Sequence, residues 1–320
     1  MEMKPFASVF GQMNVDLIFH GIDTPPALGT EVFATDFAMC VGGGPIVIPY
    51  HLEKLGVPAK LGTILDSEFE SFIARELLKR IDYKNISEFR VSAKKPVVFT
   101  SVLTSKDERS FISFNTNIDE AALSERELLD FYDGCSVTIF PHNLNIAKDL
   151  HSRGVELILD SSWTDDISLN NYLEMLPYVK FFTPNSIEVR RMCDEPDLLK
   201  CLDILEKYIA FPIIKMGFSG VITKIDGKYF HIPPVRTFHS IDTTGAGDNF
   251  IVGLIYGMWK KYDLIKTLKC ANVLGGLSTE VLGCFRSDLT EEMLNGELEN
   301  HPEVHQVSDE NQFIECTKPY

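Results

Sequence analysis

Nothing in this chain supplies a disulfide framework or a structural zinc site. Its seven cysteines, at positions 40, 135, 193, 201, 270, 284 and 316, are widely spaced and never form C-x-x-C. Reduced, buried small side chains are the expectation for them. No run reaches the roughly 18 apolar residues that a membrane span needs. The nearest, residues 250–259, suits a buried helix. The first ten residues lack a signal-peptide cleavage pattern, so a cytoplasmic protein is expected. Basic charge is also scarce: 30 Lys and Arg stand against 46 Asp and Glu, a formal net charge of −16. That balance disfavours a nucleic-acid backbone as partner, and no membrane partner is expected either. An anionic substrate would have to be held by local amides, cations or a metal. The P-loop, H-E-x-x-H and G-x-S-x-G patterns are absent, although Gly217-Phe218-Ser219-Gly220 falls just short of the last. The eight histidines form no ligand cluster. Asp165 and Asp166, beside Trp163, read as a solvated loop.

What is present is an ordinary globular composition, 320 residues with 45% hydrophobic side chains. Short β-branched runs alternate with longer amphipathic stretches. Strands are predicted at 6–10, 60–65, 136–140, 156–160, 179–183, 212–216 and 220–225. Helices are predicted at 46–55, 68–80, 124–132, 146–153, 187–193, 198–209, 248–260 and 264–280. Such alternation predicts βαβ units and a mostly parallel sheet covered on both faces, with ligands at the carboxyl ends of its strands. Two segments break the rhythm. Residues 18–39 are rich in turn signals, and 96–114 read as two strands around Lys106-Asp107-Glu108-Arg109. They are either edge strands of the main sheet or a small sheet that covers a site. The acidic stretch 288–315 reads as a solvated tail.

The segment Asp242-Thr243-Thr244-Gly245-Ala246-Gly247-Asp248 runs directly into the apolar helix from Phe250. Small residues ahead of a helix let backbone approach a ligand, and the first N–H groups of that helix have no internal partner. With the helix dipole they form an anion site that needs no Lys or Arg. A carboxylate at Asp248 is electrostatically odd for phosphate binding alone. It makes sense if it takes a proton from a hydroxyl attacking a bound phosphoryl group.

At these residues the sequence resembles the ribokinase-like, or PfkB, family of carbohydrate kinases. Residues 242–255 fit the family's C-terminal signature throughout, and the resemblance covers roughly residues 6–290. It implies a three-layer α/β/α fold with a mostly parallel central sheet and a small β-sheet lid. The chain would form one domain, with lid segments about 12–40 and 91–117 and an acidic tail about 288–320. It also implies Asp248 as general base and the amides of Gly245, Ala246 and Gly247 as anion hole. The acceptor would be held by Gly11, Asn14, Asp16 and the Gly42-Gly43-Gly44 turn. ATP would be held by Asn185, Lys215, Gly217, Gly220, Thr244, Gly245, Gly247 and Asn272. Asn185 and Glu188 match the family's N-x-x-E element and would place Mg²⁺ through water; alone they read as a capping box. Asp242, Thr244, Ser278, Val281, Gly283 and Ser287 resemble the loop that holds a monovalent cation, K⁺, in some members.

One departure limits the acceptor. The family usually has Asn where this chain has Val47. That weakens a ribose or nucleoside assignment and suggests an acceptor with an apolar or absent group there. A phosphosugar would want cations near the acceptor, for which Lys94, Lys95 and Arg109 stand in or near the lid segments. The expectation is an ATP-dependent sugar or polyol kinase, with a homodimer through the lid. The alternatives are a nucleoside kinase of the same family and a catalytically silent sugar or nucleotide sensor.

Overall fold

The computed structural model describes residues 4–22, 24–91, 95–104, 109–114, 123–139, 143–161, 166–235, 237–309, 312–313 and 317. Lys94, Trp163, Asp165, Cys316 and the turn at 105–108 therefore lie outside the described residues, as does the side chain of Arg109.

Strand β1 (Ala7–Phe10) is followed by β2 (Asn14–His20), β3 (Asp36–Gly42), helix α1 (Gly44–Lys54) and β4 (Ala59–Ile64). Next come α2 (Phe69–Arg80), β5 (Ile86–Phe89), β6 (Val98–Thr104), β7 (Arg109–Phe114), α3 (Glu125–Tyr132) and β8 (Val137–Ile139). Then α4 (Leu144–Ser152), β9 (Glu156–Leu159), β10 (Phe181–Phe182), α5 (Ser186–Cys193) and α6 (Leu198–Leu205) lead to β11 (Ile213–Lys215). The chain closes with β12 (Val221–Ile225), β13 (Lys228–Ile232), α7 (Ala246–Trp259), α8 (Leu264–Ser278), α9 (Glu291–Glu299) and β14 (His305–Val307).

Six strands in the order β10-β9-β8-β1-β4-β5 form a wholly parallel sheet. An antiparallel sheet, β11-β12-β13-β14, extends it, because Pro212 and Lys215 bridge in parallel to Phe182 and Asn185. Side chains alternate across the pleat, so each central strand feeds two cores. Leu157 and Leu159 join Leu128, Ile146, Val189 and Leu202 from α3 to α6. Ile158, between them, joins Ile48, Leu254 and Leu274 from α1, α7 and α8 on the other face. The expected three layers result. Helices α7 and α8 cross closely: a Cβ on Gly253 would strike the Ala271 backbone, and one on Gly257 would strike Thr267.

A separate four-stranded sheet, β3-β2-β6-β7, stands apart from these layers. Residues 14–20 are one of its two inner strands, with Val15 buried between the polar Asn14 and Asp16. The stretch expected as a solvated tail is different too. Leu294 of α9 is fully buried and β14 pairs with β13, so apolar residues tie this acidic segment to the main body. Among the described residues, no helix is long and apolar enough to cross a membrane.

Candidate active site

The carboxyl ends of β1, β9, β10 and β11 and the N-termini of α1 and α7 converge on one groove, where doubly wound sheets bind ligands. Gly245 is the N-cap of α7 with φ of 75°, a left-handed conformation suited to glycine. A Cβ there would also strike Cys284. Among the described residues, no acceptor faces the amides of Gly245 and Gly247. The Ala246 N–H makes a long 3.3 Å turn bond to the Thr243 carbonyl, which an anion could share. Asp242 braces this loop. Its Oδ1 accepts from the Thr244 N–H and hydroxyl at 2.8 and 2.7 Å, and its Oδ2 accepts from the Gly283 N–H at 2.9 Å. Of the residues read as a monovalent-cation loop, the bonds thus join Asp242, Thr244 and Gly283. Ser278 donates its hydroxyl to Gly275 in its own helix, and Ser287 is exposed.

Asp248 lies in the first turn of α7. Its carboxylate abuts Gly44 at the start of α1, so closely that a Cβ on Gly44 would collide with Oδ1. The Asp248 carboxyl is pushed up to about 7, chiefly by burial and in part by the charge of Asp160, with Lys215 opposing both. Although that carboxyl keeps some contact with solvent, desolvation dominates because the two helix ends enclose it.

Asp160 and Ser161, just beyond β9, were not foreseen from the sequence. Lys215 donates to both oxygens of Asp160 at 2.7 and 2.9 Å, and Thr183 donates to Asp160 at 2.7 Å. A Cβ placed on Gly247 would lie 3.4 Å from the Lys215 ammonium, so this cation stands beside the glycine turn that opens α7. Ser161 donates to Glu188 Oε2 at 2.5 Å, and the same oxygen accepts from the Asn185 N–H at 2.8 Å. In return, Asn185 Oδ1 caps α5 by accepting from the Ile187 and Glu188 N–H groups at 2.9 Å. The capping box therefore forms, and both of these Glu188 bonds fall on one oxygen.

Beside the start of α7 lies a cavity of about 310 Å³, lined by Lys215, Phe218, Val235, Phe238, Phe250 and Asn272 among others. The turn Gly217–Ser219 and Gly220 form its edge, with Gly217 and Gly220 at φ of 55° and 84°. Asn272 donates to the Pro233 carbonyl at 2.7 Å, which fixes its amide against this wall. Apolar faces with a few fixed polar groups suit a flat heterocycle.

On the opposite side of Asp248 stand the glycine turn and the small sheet. Gly43 has φ of 91°, and a Cβ on it would lie 3.4 Å from the Asn14 amide carbon. A Cβ on Gly42 would collide with the Asp16 carboxylate, and one on Gly11 with Pro45. Burial raises Asp16 to about 6. It also pushes the nearby Cys40 thiol to about 12, aided by Asp16 and Asp242, so this thiol stays neutral. Val47 is fully buried, one helical turn ahead of the buried His51, whose Nε2 accepts from the Arg286 N–H at 2.9 Å.

Among the described residues, no group of three or more His, Cys, Asp or Glu could hold a metal ion. The solved ribokinase of Arabidopsis thaliana, complexed with ribose and ATP, superposes with a TM-score of 0.77 at 20% identity, covering 93% of this chain and 99% of that one. By sequence the chain is 25% identical over 290 residues to a ribokinase of Lactococcus lactis, covering 86% of this chain and 91% of that protein. It is 23% identical over 307 residues to a nucleoside kinase of Methanocaldococcus jannaschii, covering 91% and 96%. The pfkB family carbohydrate kinase model matches residues 5–291. Matched over nearly its whole length, with Asp248, the glycine turn and the cavity beside α7 converging on one groove, the chain belongs to the pfkB family of carbohydrate kinases, phosphotransferases with an alcohol group as acceptor.

Proposed function

We propose that the protein transfers the γ-phosphoryl group of ATP to a hydroxyl of a sugar or related polyol, with Asp248 as general base. The observation that carries this reading is the position of Asp248. Its carboxylate touches the glycine turn that meets Asn14 and Asp16 on one side, and opens the helix bearing the anion-hole amides on the other. Asn14, Asp16 and residues 42–44 would bind and orient the acceptor. Asp248 would take the hydroxyl proton as the oxygen attacks. The amides of Gly245, Ala246 and Gly247, with Lys215, would stabilise the charge on the transferred group; each such donor is typically worth about 3 kcal/mol.

Glu188 keeps one carboxylate oxygen clear of its Ser161 and Asn185 bonds, which suits a water-mediated contact to Mg²⁺. The metal would neutralise the phosphate oxygens when bound. The cavity edged by Gly217, Gly220 and Asn272 would take the adenine and ribose. The braced Asp242 loop, with Ser278, Val281 and Ser287 flanking its partner Gly283 in sequence, is our candidate for K⁺ dependence. The decisive experiment is ADP release measured over sugars, polyols and nucleosides, with Mg²⁺ and with or without K⁺. Acceptor-dependent ADP release supports the reading. Its absence across the panel, with ligands still raising the melting temperature, would favour a silent sensor.

The relative from M. jannaschii makes a nucleoside kinase the second reading. Val47 speaks against it, and comparing adenosine and inosine with ribose separates the two. The small sheet also exposes Phe37, Phe111, Ile112 and Phe114, and its edges β3 and β7 are unpaired among the described residues. Exposed strand edges with apolar side chains invite pairing. A homodimer through this lid is expected, and sedimentation showing a monomer at micromolar concentration would exclude it.

The acid limb of kcat should follow Asp248, which must be deprotonated to act. Activity is expected to rise with pH through about 7. In Asp160→Asn one negative neighbour is lost and Lys215 is left to favour the carboxylate, so the limb should move to lower pH. An unmoved limb would detach either Asp248 from the rate or Asp160 from Asp248.

A further inference from the structure

Helix α7 opens on an amide set into apolar surroundings. Asn249 is buried at the start of the run Phe250–Ile255. Asparagine is a poor residue inside a helix, because its side chain competes for backbone groups. A buried amide also costs stability unless its hydrogen bonds are made. Here the side chain is turned back on the first turn of its own helix. Asn249 Nδ2 donates to the Gly245 carbonyl at 2.9 Å, and the Asn249 N–H donates to the same oxygen at 2.9 Å. The peptide joining Gly245 to Ala246 is planar and trans, so its C=O and N–H point in opposite directions. Two donors holding the Gly245 carbonyl therefore also fix the direction of the Ala246 N–H. Thr243, Ala246 and Gly247 line the cavity beside this turn.

A loop outside the helix supports the same peptide. The Asn249 amide nitrogen carries two hydrogens and also reaches the Cys284 carbonyl at 3.5 Å, while the Cys284 side chain packs directly on Gly245. The segment bearing Cys284 is pinned on both sides. The Gly283 N–H donates to Asp242 at 2.9 Å, and the Arg286 N–H donates to His51 Nε2 at 2.9 Å. Burial holds the His51 imidazole down at about 3, with Lys54 acting the same way and Asn249 opposing, so the ring is neutral and Nε2 can accept. His51 lies two helical turns after Gly44 on α1. One face of α1 thus meets Asp248 at its start and the Cys284 segment at its other end.

Resting on the kinase reading above, we propose that Asn249 is a positioning residue that aims the Ala246 amide at the bound phosphoryl group, with His51 holding the loop that supports it. Asn249 is buried and acts through the backbone. The Asn249 N–H alone satisfies the Gly245 carbonyl, as in any helix start, so the side-chain bond adds orientation. Donors fixed before the reaction need no reorganisation as charge develops.

Asn249→Leu removes both side-chain donors and places an apolar group in an apolar site. In the full chain it should lower kcat about tenfold, with the KM for ATP and for acceptor within about twofold and the melting temperature nearly unchanged. Asn249→Ser should bring kcat back to within about threefold of wild type, because a serine hydroxyl can donate to the carbonyl four residues earlier. His51→Leu leaves the Arg286 N–H without its acceptor and should lower both kcat and the melting temperature. Wild-type kcat in folded Asn249→Leu or His51→Leu, or a loss that serine does not restore, would overturn the proposal. The NMR signal of an isotope-labelled Ala246 amide gives a readout without turnover. Inorganic phosphate added with ADP should shift that signal in the wild type and shift it less in Asn249→Leu; equal shifts in the two proteins would also overturn the proposal. A shift that depends on Asn249, in a wild type that releases no ADP with any acceptor, would refute the kinase reading and uphold the positioning role.

Discussion

Asp248→Asn is expected to lower kcat by about 10²–10⁴-fold, the usual contribution of a positioned general base. Asparagine keeps the shape that fits against Gly44 and the first turn of α7. It cannot take a proton, so the attacking hydroxyl would have to release it to water, a far weaker base than a positioned carboxylate. The KM for ATP should change little, because Asn185, Lys215 and the cavity around Asn272 are untouched. The fold should not suffer. In the folded state the carboxyl is raised from 3.8 to about 7, so between those pH values the folded chain holds a proton that the unfolded chain has released. Stability from this group is therefore present at low pH and is lost as pH rises toward 7. Asparagine removes that loss, and the melting temperature at pH 8 should be equal to or above that of the wild type. Near-normal acceptor-dependent ADP release from a folded Asp248→Asn protein would sink the mechanism.

Gly44→Ala is expected to cost about 10²-fold in kcat while leaving stability nearly unchanged. A Cβ at this position collides with Oδ1 of Asp248, and the carboxylate carbon is only 3.2 Å away. The obstacle is the far end of a side chain, so the chain can accommodate alanine by swinging the carboxylate aside. Displacing a reacting group by about 1 Å is enough for such a loss. Gly44 begins α1 with no positive φ, so alanine meets no left-handed strain, and its gain in helix propensity of up to about 1 kcal/mol offsets the cost of a helical alanine ahead of Pro45. Gly43→Ala is the contrasting case: its φ of 91° makes any side chain strained, and its loss should appear in the melting temperature as well. A Gly44→Ala enzyme with wild-type kcat would show that the contact between these helix ends does not aim the base.

Local signals made part of the site readable. Gly245 and Gly247 ahead of an apolar helix announce an anion site, and Asn185 followed by Glu188 announces a capping box, because helix starts are encoded within a few residues. The predicted strand at 6–10 contains β1, and the predicted helix at 248–260 overlaps α7, because both have strong local apolar patterns. Strands β5, β13 and β14 were missed. They are short, partly exposed and anchored by pairing with distant partners, so no local periodicity marks them. Asp160 and Ser161 were missed for a related reason. Asp160 meets Lys215 55 positions away, and Ser161 meets Glu188 27 positions away, at ends of strands that only the sheet order brings together.

By itself the sequence determined the layered α/β fold and the family, and pointed to the residues proposed to take a proton and to hold a phosphoryl group. Those are properties of periodicity and of helix starts, and they depend on near neighbours. The tertiary structure decided how those groups are placed: the contact of Gly44 with Asp248 and the Asp160–Lys215 pair beside Gly247. Charge environment and sheet register depend on which strands lie side by side, so they follow from packing rather than from any local stretch of chain. The acceptor end of the site is written almost wholly in that second language.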